Sequence, residues 1–266
     1  MNRLDSAFGA LRARNRKAFI AYVCAGDPDF ERSLEVLHAL AAAGTDVLEL
    51  GLPFSDPLAD GIVNQLAAHR ALAAGSTTRR TLDLVRAFRH TNPSTPVVLF
   101  TYLNPVYAYG YHDFHRDAAA AGADGLLLLD LPPDEADRDA EFAGGAGLHH
   151  IRLVAPTTPP ERLARLAAGA EGFIYALSRT GVTGAAHGGP SAGIAALVAA
   201  IRRHTATPVC VGFGISTPEQ AAQVAAVADG VVVGSALVRQ VELHPERAAA
   251  AVREFAAPLI AATKAA

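Results

Sequence analysis

The sequence predicts an α/β fold of the (β/α)8, TIM-barrel type. Three observations carry the prediction: eight short apolar runs, helical patterns between them, and a length of 266 residues. Parallel strands joined by helical crossovers either close into a barrel or form an open sheet, and barrels of about 250 residues occur as one domain. No Gly-x-Gly-x-x-Gly follows the first strand, which weighs against a doubly wound dinucleotide fold. No linker or charge run marks a boundary, so residues 1–266 are expected to form a single barrel domain with one extra N-terminal helix.

Taken in order, residues 2–16 place Leu4, Phe8 and Leu11 at helical spacing. A strand is expected at 19–24, closed by the turn Gly26-Asp27-Pro28, and then a helix over 31–43 stopped by Gly44. The unit repeats, with strands expected at 47–51, 97–102, 125–130, 150–155, 172–177, 209–212 and 230–233. Helical patterns lie near 62–74, 78–90, 112–121, 134–143, 160–168, 191–203, 217–227 and 245–263, several of them behind Pro, Ser, Thr or Asp.

Composition narrows the function. A net charge of −3 gives no electrostatic footprint for nucleic acid or an anionic membrane. No run approaches the ~18 apolar residues of a membrane span, and the first residues lack the apolar core of a signal peptide, so a cytoplasmic location is expected. Cys24 and Cys210 sit in apolar runs without metal-type spacing and read as buried structural thiols. The ten histidines are scattered, with His112/His115 and His149/His150 reading as helix surface and strand edge, so no metal site is expected. Lys17 and Lys264 are the only lysines, and neither ends a strand, which disfavours a Schiff-base mechanism. No Gly-x-Ser-x-Gly elbow is present.

In such a barrel chemistry sits at the C-terminal ends of the strands. Candidates there are Asp27, Glu49, Asp56, Asp60, Tyr102, Asn104, Asp130, Tyr175, Ser178, Arg179, Thr183, Gly214, Gly234 and Ser235, with Asp27 and Asp130, each near a proline, reading as turn residues. Glu49 interrupts the apolar run Val47-Leu48-Glu49-Leu50. Burying a carboxylate costs several kcal/mol unless it is paired or protonated, so a functional reason is expected. Asp60 follows in the loop Pro53–Asp60, and the two acids form a candidate acid/base pair.

Glycines end the last three strands: Gly181 and Gly184, Gly212-Phe213-Gly214, and Gly234-Ser235. Their backbone N–H groups can approach an anion, and the loops after strands 7 and 8 are where this fold holds phosphate. The glycine-rich stretch 178–191 reads as a lid. Tyr22, Phe100, Tyr102, Leu127, Leu129, Leu153 and Tyr175 face inward near the mouth and would form an apolar slot suited to an aromatic substrate with a phosphate tail.

These motifs occur together and in order: VLELGLPFSDPLADG, YLNPVYAYG, LSRTGVTGA, VGFGIS and VVVGSAL. They resemble the α subunit of tryptophan synthase across the whole chain. The resemblance implies a lyase that cleaves indole-3-glycerol phosphate to indole and D-glyceraldehyde 3-phosphate. It also implies a β-subunit partner that carries pyridoxal phosphate, in an αββα complex, with no cofactor in this chain.

By the same resemblance, Glu49 is the proton shuttle, Asp60 stabilises positive charge at the indole N–H, and Tyr175 and Thr183 position substrate and lid. Gly184, Gly214, Gly234 and Ser235 would hold phosphate, and Tyr22, Phe100, Tyr102, Leu127, Leu129, Leu153, Thr183 and Phe213 would line the indole pocket. Pro53, Asp56, Pro57 and Asn104 would meet the partner. Two departures stand out. Ile62-Val63-Asn64-Gln65 replaces a run that usually opens with proline, which is expected to loosen the Asp60 loop, and position 22 is tyrosine where many members have phenylalanine. A free-standing indole-producing lyase and a catalytically silent, β-activating subunit are the competing expectations.

Overall fold

The structure, a computed structural model, describes residues 2–132, 146–178, 189–212 and 214–266. Its strands are β1 (Ala18–Cys24), β2 (Val47–Gly51), β3 (Val97–Thr101), β4 (Gly125–Leu128), β5 (His149–His150), β6 (Arg152–Val154), β7 (Ile174–Leu177), β8 (Val209–Gly212) and β9 (Gly230–Val233). Every pairing is parallel, in the order β5-β4-β3-β2-β1-β9-β8-β7-β6. The two ends of that order, β5 and β6, are separated in the chain by Ile151 alone, whose N–H bonds to the Leu126 carbonyl at 2.9 Å. They are two halves of one stave, so the nine segments make the expected eight-stranded barrel.

Side-chain alternation sorts each strand between two cores. Outward residues such as Phe19, Leu48, Leu50, Leu99, Leu126, Ile174 and Val211 pack under the helices. Inward residues Ala18, Ile20, Val47, Val98, Leu127, Ile151, Phe173, Tyr175, Cys210 and Val232 fill the barrel. The extra helix Arg3–Ala13 forms as expected, capped by the Asn2 side chain on the Leu4 N–H. It closes the bottom of the barrel by adding Leu4 and Phe8 to the inner cluster, with the Phe8 ring 5.7 Å from that of Phe173.

Most expected helices are present, among them Phe30–Ala43, Ile62–Ala73, Thr78–Thr91 and Pro160–Ala168; the one expected at 134–143 lies outside the described residues. Two helices escaped the sequence pattern. Leu103–Tyr109 contains Pro105, but in its first turn, where the missing N–H would be unbonded anyway. Ser235–Leu243 starts behind Gly234 without a side-chain cap. Among the described residues no helix is long and apolar enough to cross a membrane.

At the bottom face one device recurs three times. Asp46, Asp124 and Asp229 each stand immediately before a strand, and each accepts from a backbone N–H in the first two residues of the preceding strand: Phe19 at 2.8 Å, Val97 at 2.9 Å and Val209 at 2.9 Å. Each acid also takes a cation. Lys264 serves Asp46 at 3.3 Å, Arg202 serves Asp229 at 2.8 Å, and Asp124 takes both Arg3 at 2.8 Å and Arg89 at 2.7 Å. Burial pushes the Arg89 guanidinium down to about 10, against the pull of Asp124. Removing one partner of such a buried pair leaves an uncompensated charge. Asp124→Ala is therefore expected to cost about 3–5 kcal/mol and to lower the melting temperature by roughly 10 °C in a calorimetric scan.

Candidate active site

β2 delivers Glu49 to the barrel interior. The strand forms because its neighbours are apolar on both faces, and all five of its residues are buried. Glu49 is 0 % exposed, and neither carboxylate oxygen has a hydrogen-bond partner among the described residues. Burial alone raises its pKa to about 8, so the protonated form dominates at neutral pH. An unpaired acid with a proton to give and a near-neutral pKa is suited to general acid/base work.

Two phenols flank it. Tyr22 on β1 is in register with Glu49, and Tyr175 on β7 shares the inner cluster. The hydroxyls fit because their neighbours are glycine: a Cβ at Gly51 would overlap the Tyr22 hydroxyl, and one at Gly212 would overlap that of Tyr175. Burial first, then Cys24, Asp60, Glu49 and Tyr102, raises the Tyr22 pKa; burial, then Glu49, Cys210 and Asp60, raises that of Tyr175. Both phenols thus lie in the field of both acids.

Asp60 sits at the mouth and is held more firmly than the missing proline suggests. Tyr102 donates to its carboxylate at 2.9 Å and itself accepts from the Ala59 N–H at 2.9 Å. Asn64 donates to the other oxygen at 3.4 Å, and Gln65 to the Asp60 carbonyl at 2.8 Å. Helix Ile62–Ala73 still starts directly after Gly61. Burial raises the Asp60 pKa, while the Tyr102 and Asn64 hydrogen bonds oppose the rise. Tyr102, expected as a pocket wall, is first of all the Asp60 anchor. The sequence marked Asn64 and Gln65 only as part of a departure from the family run; their place in the first turn behind Asp60 is the signal for the bonds they make to it.

Around these groups, Phe100 meets Tyr22 edge-on with ring centroids 5.1 Å apart. Leu127 is fully buried in the inner cluster, with Leu129 and Leu153 half-buried against it. Gly234 lies against the Tyr22 ring, Ser235 opens helix Ser235–Leu243, and Gly214 is exposed at φ 78°, a conformation that suits glycine. Pro53 and Pro57 are buried while Asp56 is exposed; Asn104 is exposed on the short helix Leu103–Tyr109 and not in a loop. Arg179, Gly181, Thr183, Gly184 and Phe213 lie outside the described residues.

Two other expectations change. Asp27 does more than close a turn, since it takes both Arg70 nitrogens at 2.9 and 2.8 Å and ties the β1 loop to the Asp60 helix. His115 is not helix surface: it is 3 % exposed and meets His150 at 3.1 Å. Asp130 does act locally, accepting from the Leu103 N–H at 2.6 Å. No cluster of three or more metal-ligating side chains occurs among the described residues.

A (β/α)8 barrel with a desolvated acid inside and a tethered acid at its mouth defines a barrel enzyme of the acid/base class. The sequence model of the family described as Tryptophan synthase alpha chain matches residues 8–265, and the chain belongs to that family. A tryptophan synthase alpha chain from Opitutus terrae is 52% identical over 267 residues, covering 99% of this chain and 100% of the relative. The crystal structure of tryptophan synthase subunit alpha from Legionella pneumophila superposes with a TM-score of 0.90 at 40% identity, covering 99% of this chain and 98% of that one. A tryptophan synthase structure from M. tuberculosis in an aminoacrylate-bound form gives 0.87 at 38% identity, covering 99% and 100%.

Two measurements check the site's physics. Tyr102→Phe removes the donor that holds Asp60; a lost hydrogen bond to a charged group costs about 1.5–3 kcal/mol, so the melting temperature should fall by roughly 3–12 °C, and kcat should fall with it because Asp60 is no longer held in place. For Glu49 the folded pKa lies above the unfolded value, so its contribution is complete below the unfolded pKa near 4.5 and is lost as pH rises towards 8. Glu49→Gln removes that loss: denaturant titrations should show the variant gaining on the parent between pH 4.5 and 8, by as much as several kcal/mol.

Proposed function

We propose that the chain cleaves indole-3-glycerol phosphate to indole and D-glyceraldehyde 3-phosphate as the alpha subunit of tryptophan synthase. The observation that carries the mechanism is the pair of unlike carboxylates, one fully buried and bonded to no described residue, one hydrogen-bonded at the mouth. Protonated Glu49 gives its proton to C3 of the indole ring, which makes the ring an electron sink. Anionic Asp60 stabilises the positive charge that then develops at the ring N–H, and exclusion of water strengthens that interaction. The bond from C3 to the glycerol carbon breaks, its electron pair returns to the ring, and Glu49 takes the proton of the adjacent hydroxyl as the aldehyde forms.

Tyr22, Phe100, Leu127, Leu129 and Leu153 supply the apolar slot for the ring, with Thr183 and Phe213 completing it. Tyr175 orients the glycerol chain. Gly184, Gly214, Gly234 and Ser235 take the phosphate through backbone N–H groups. Support for the last two comes from their place at the N-terminal end of helix Ser235–Leu243, where the helix dipole favours an anion.

The partner is a β subunit that carries pyridoxal phosphate and receives indole, in an αββα assembly in the cytoplasm. Supporting this, Leu58, Ile62, Leu66 and Tyr107 are 92%, 65%, 41% and 56% exposed around the loop Pro53–Asp60 and helix Leu103–Tyr109, an apolar surface of the kind that marks an interface. Pro53, Asp56, Pro57 and Asn104 frame it. The reading of this chain as a free-standing lyase draws only on the altered run at 62–64, and the ties on Asp60 weaken it.

Glu49→Gln and Asp60→Asn, made separately, should each lower indole formation by at least 10²-fold; near-parental rates in either would refute the assigned roles. Indole release by the parent chain should rise strongly when β subunit is added, and equal rates with and without it would favour the free-standing enzyme.

A further inference from the structure

Glu49 must exist as a carboxylate for part of every turnover, and an anion in a dry interior needs a hydrogen-bond donor. Among the described residues it has none. The polar groups that face it come from three strands: Tyr22 from β1, Tyr175 from β7 and Cys210 from β8, each of which feels its charge. β3 offers only Val98 and Phe100 on its inward side, and Asp60 and Tyr102 at the mouth are already paired to one another. A thiol is a weak donor, which leaves the two phenols.

Geometry chooses between them. The Tyr175 hydroxyl lies against Gly212 on β8. In the strand order β2-β1-β9-β8, that is three places away from the strand bearing Glu49. The Tyr22 hydroxyl lies against Gly51 on Glu49's own strand, two residues further along the same inward row. Rows of that kind repeat every ~7 Å, a gap that a glutamate side chain leaning along its strand largely spans. Tyr22 is 7 % exposed and its hydroxyl bonds to no described residue, so the donor is uncommitted. Its ring is fixed by Phe100 on one side and by Gly234 on another, which limits it to small motions.

We propose that Tyr22 is a positioning residue for the proton shuttle: its hydroxyl donates to the Glu49 carboxylate whenever Glu49 has released its proton, and so sets the range of pH over which the shuttle works. This rests on Glu49 being the proton carrier. The tyrosine neither gains nor loses a proton in the process, and its own raised pKa keeps it a donor throughout.

Tyr22→Phe in the full chain tests it. A hydrogen bond to the charged form of an acid lowers its pKa, so losing the bond moves the Glu49-controlled limb of the kcat/KM profile upward, by about one pH unit. The same upward movement should appear in a direct titration of the Glu49 carboxyl by 13C NMR, assigned by loss of the signal in Glu49→Gln. A limb and a carboxyl titration that stay in place overturn the proposal, and a higher KM at an unmoved limb would leave Tyr22 as a wall of the slot and nothing more. The parent reading fails separately: if Glu49→Gln itself keeps its activity, Glu49 is not the shuttle, whatever Tyr22 does.

Discussion

Glu49 is a fully buried carboxyl group among apolar side chains and two phenols, with no donor to either oxygen among the described residues. Placing it there means that the barrel must be dry, that its ionised form is costly, and that the proton it carries is exchangeable near neutral pH. The surrounding residues answer these demands. Small inward residues, Gly51 and Gly212, make room for two phenols, and Leu4 and Phe8 stopper the end of the barrel remote from the mouth. Asp60, which needs the opposite treatment, sits at the rim, where the Tyr102 and Asn64 hydrogen bonds favour its anionic form against the effect of burial. Two acids with one side-chain chemistry thus acquire different proton affinities from their surroundings alone.

The two ends of the barrel divide labour. At the bottom, Asp46, Asp124 and Asp229 fix strand ends through backbone N–H groups and pair with cations, so their charges are fully engaged. At the top, Glu49 bonds to no described residue, while Asp60 is tied to Tyr102 and Asn64. The Asp27–Arg70 pair, with Glu242 3.9 Å from Arg70, links the β1 loop, the helix behind Asp60 and the helix that opens at Ser235. That contact keeps the acid at the rim and the glycine turn at Gly234 in one frame.

The staves were legible because buried parallel strands read as continuous apolar runs, and Glu49 was legible because it breaks one. Helix Leu103–Tyr109 was hidden by Pro105, which looks like a breaker until its first-turn position is known. Helix Ser235–Leu243 was hidden by its Gly-Ser start, which lacks any cap. The break at Ile151 has no local signal, since it depends on which neighbours its two halves find. Nor could sequence reveal that Tyr102 reaches Asp60 across 42 positions or that His115 turns inward to His150. Those pairings follow from strand register, which the chain specifies only as a whole. The missing proline marks the run 62–65 in the sequence, but only the fold shows that Asn64 and Gln65 of that same run bond to Asp60.

Ring closure brings Ala18 of β1 against Gly230 of β9, the first stave against the last. During synthesis the open flank of β1 must therefore wait for nearly the entire polypeptide to leave the ribosome, at about 5–20 residues per second. Through that interval an apolar strand edge is available to other nascent chains. Expression yield, more than equilibrium stability, is where this topology makes its demand, and slowing or crowding translation should show it as inclusion bodies before any loss of fold is measurable.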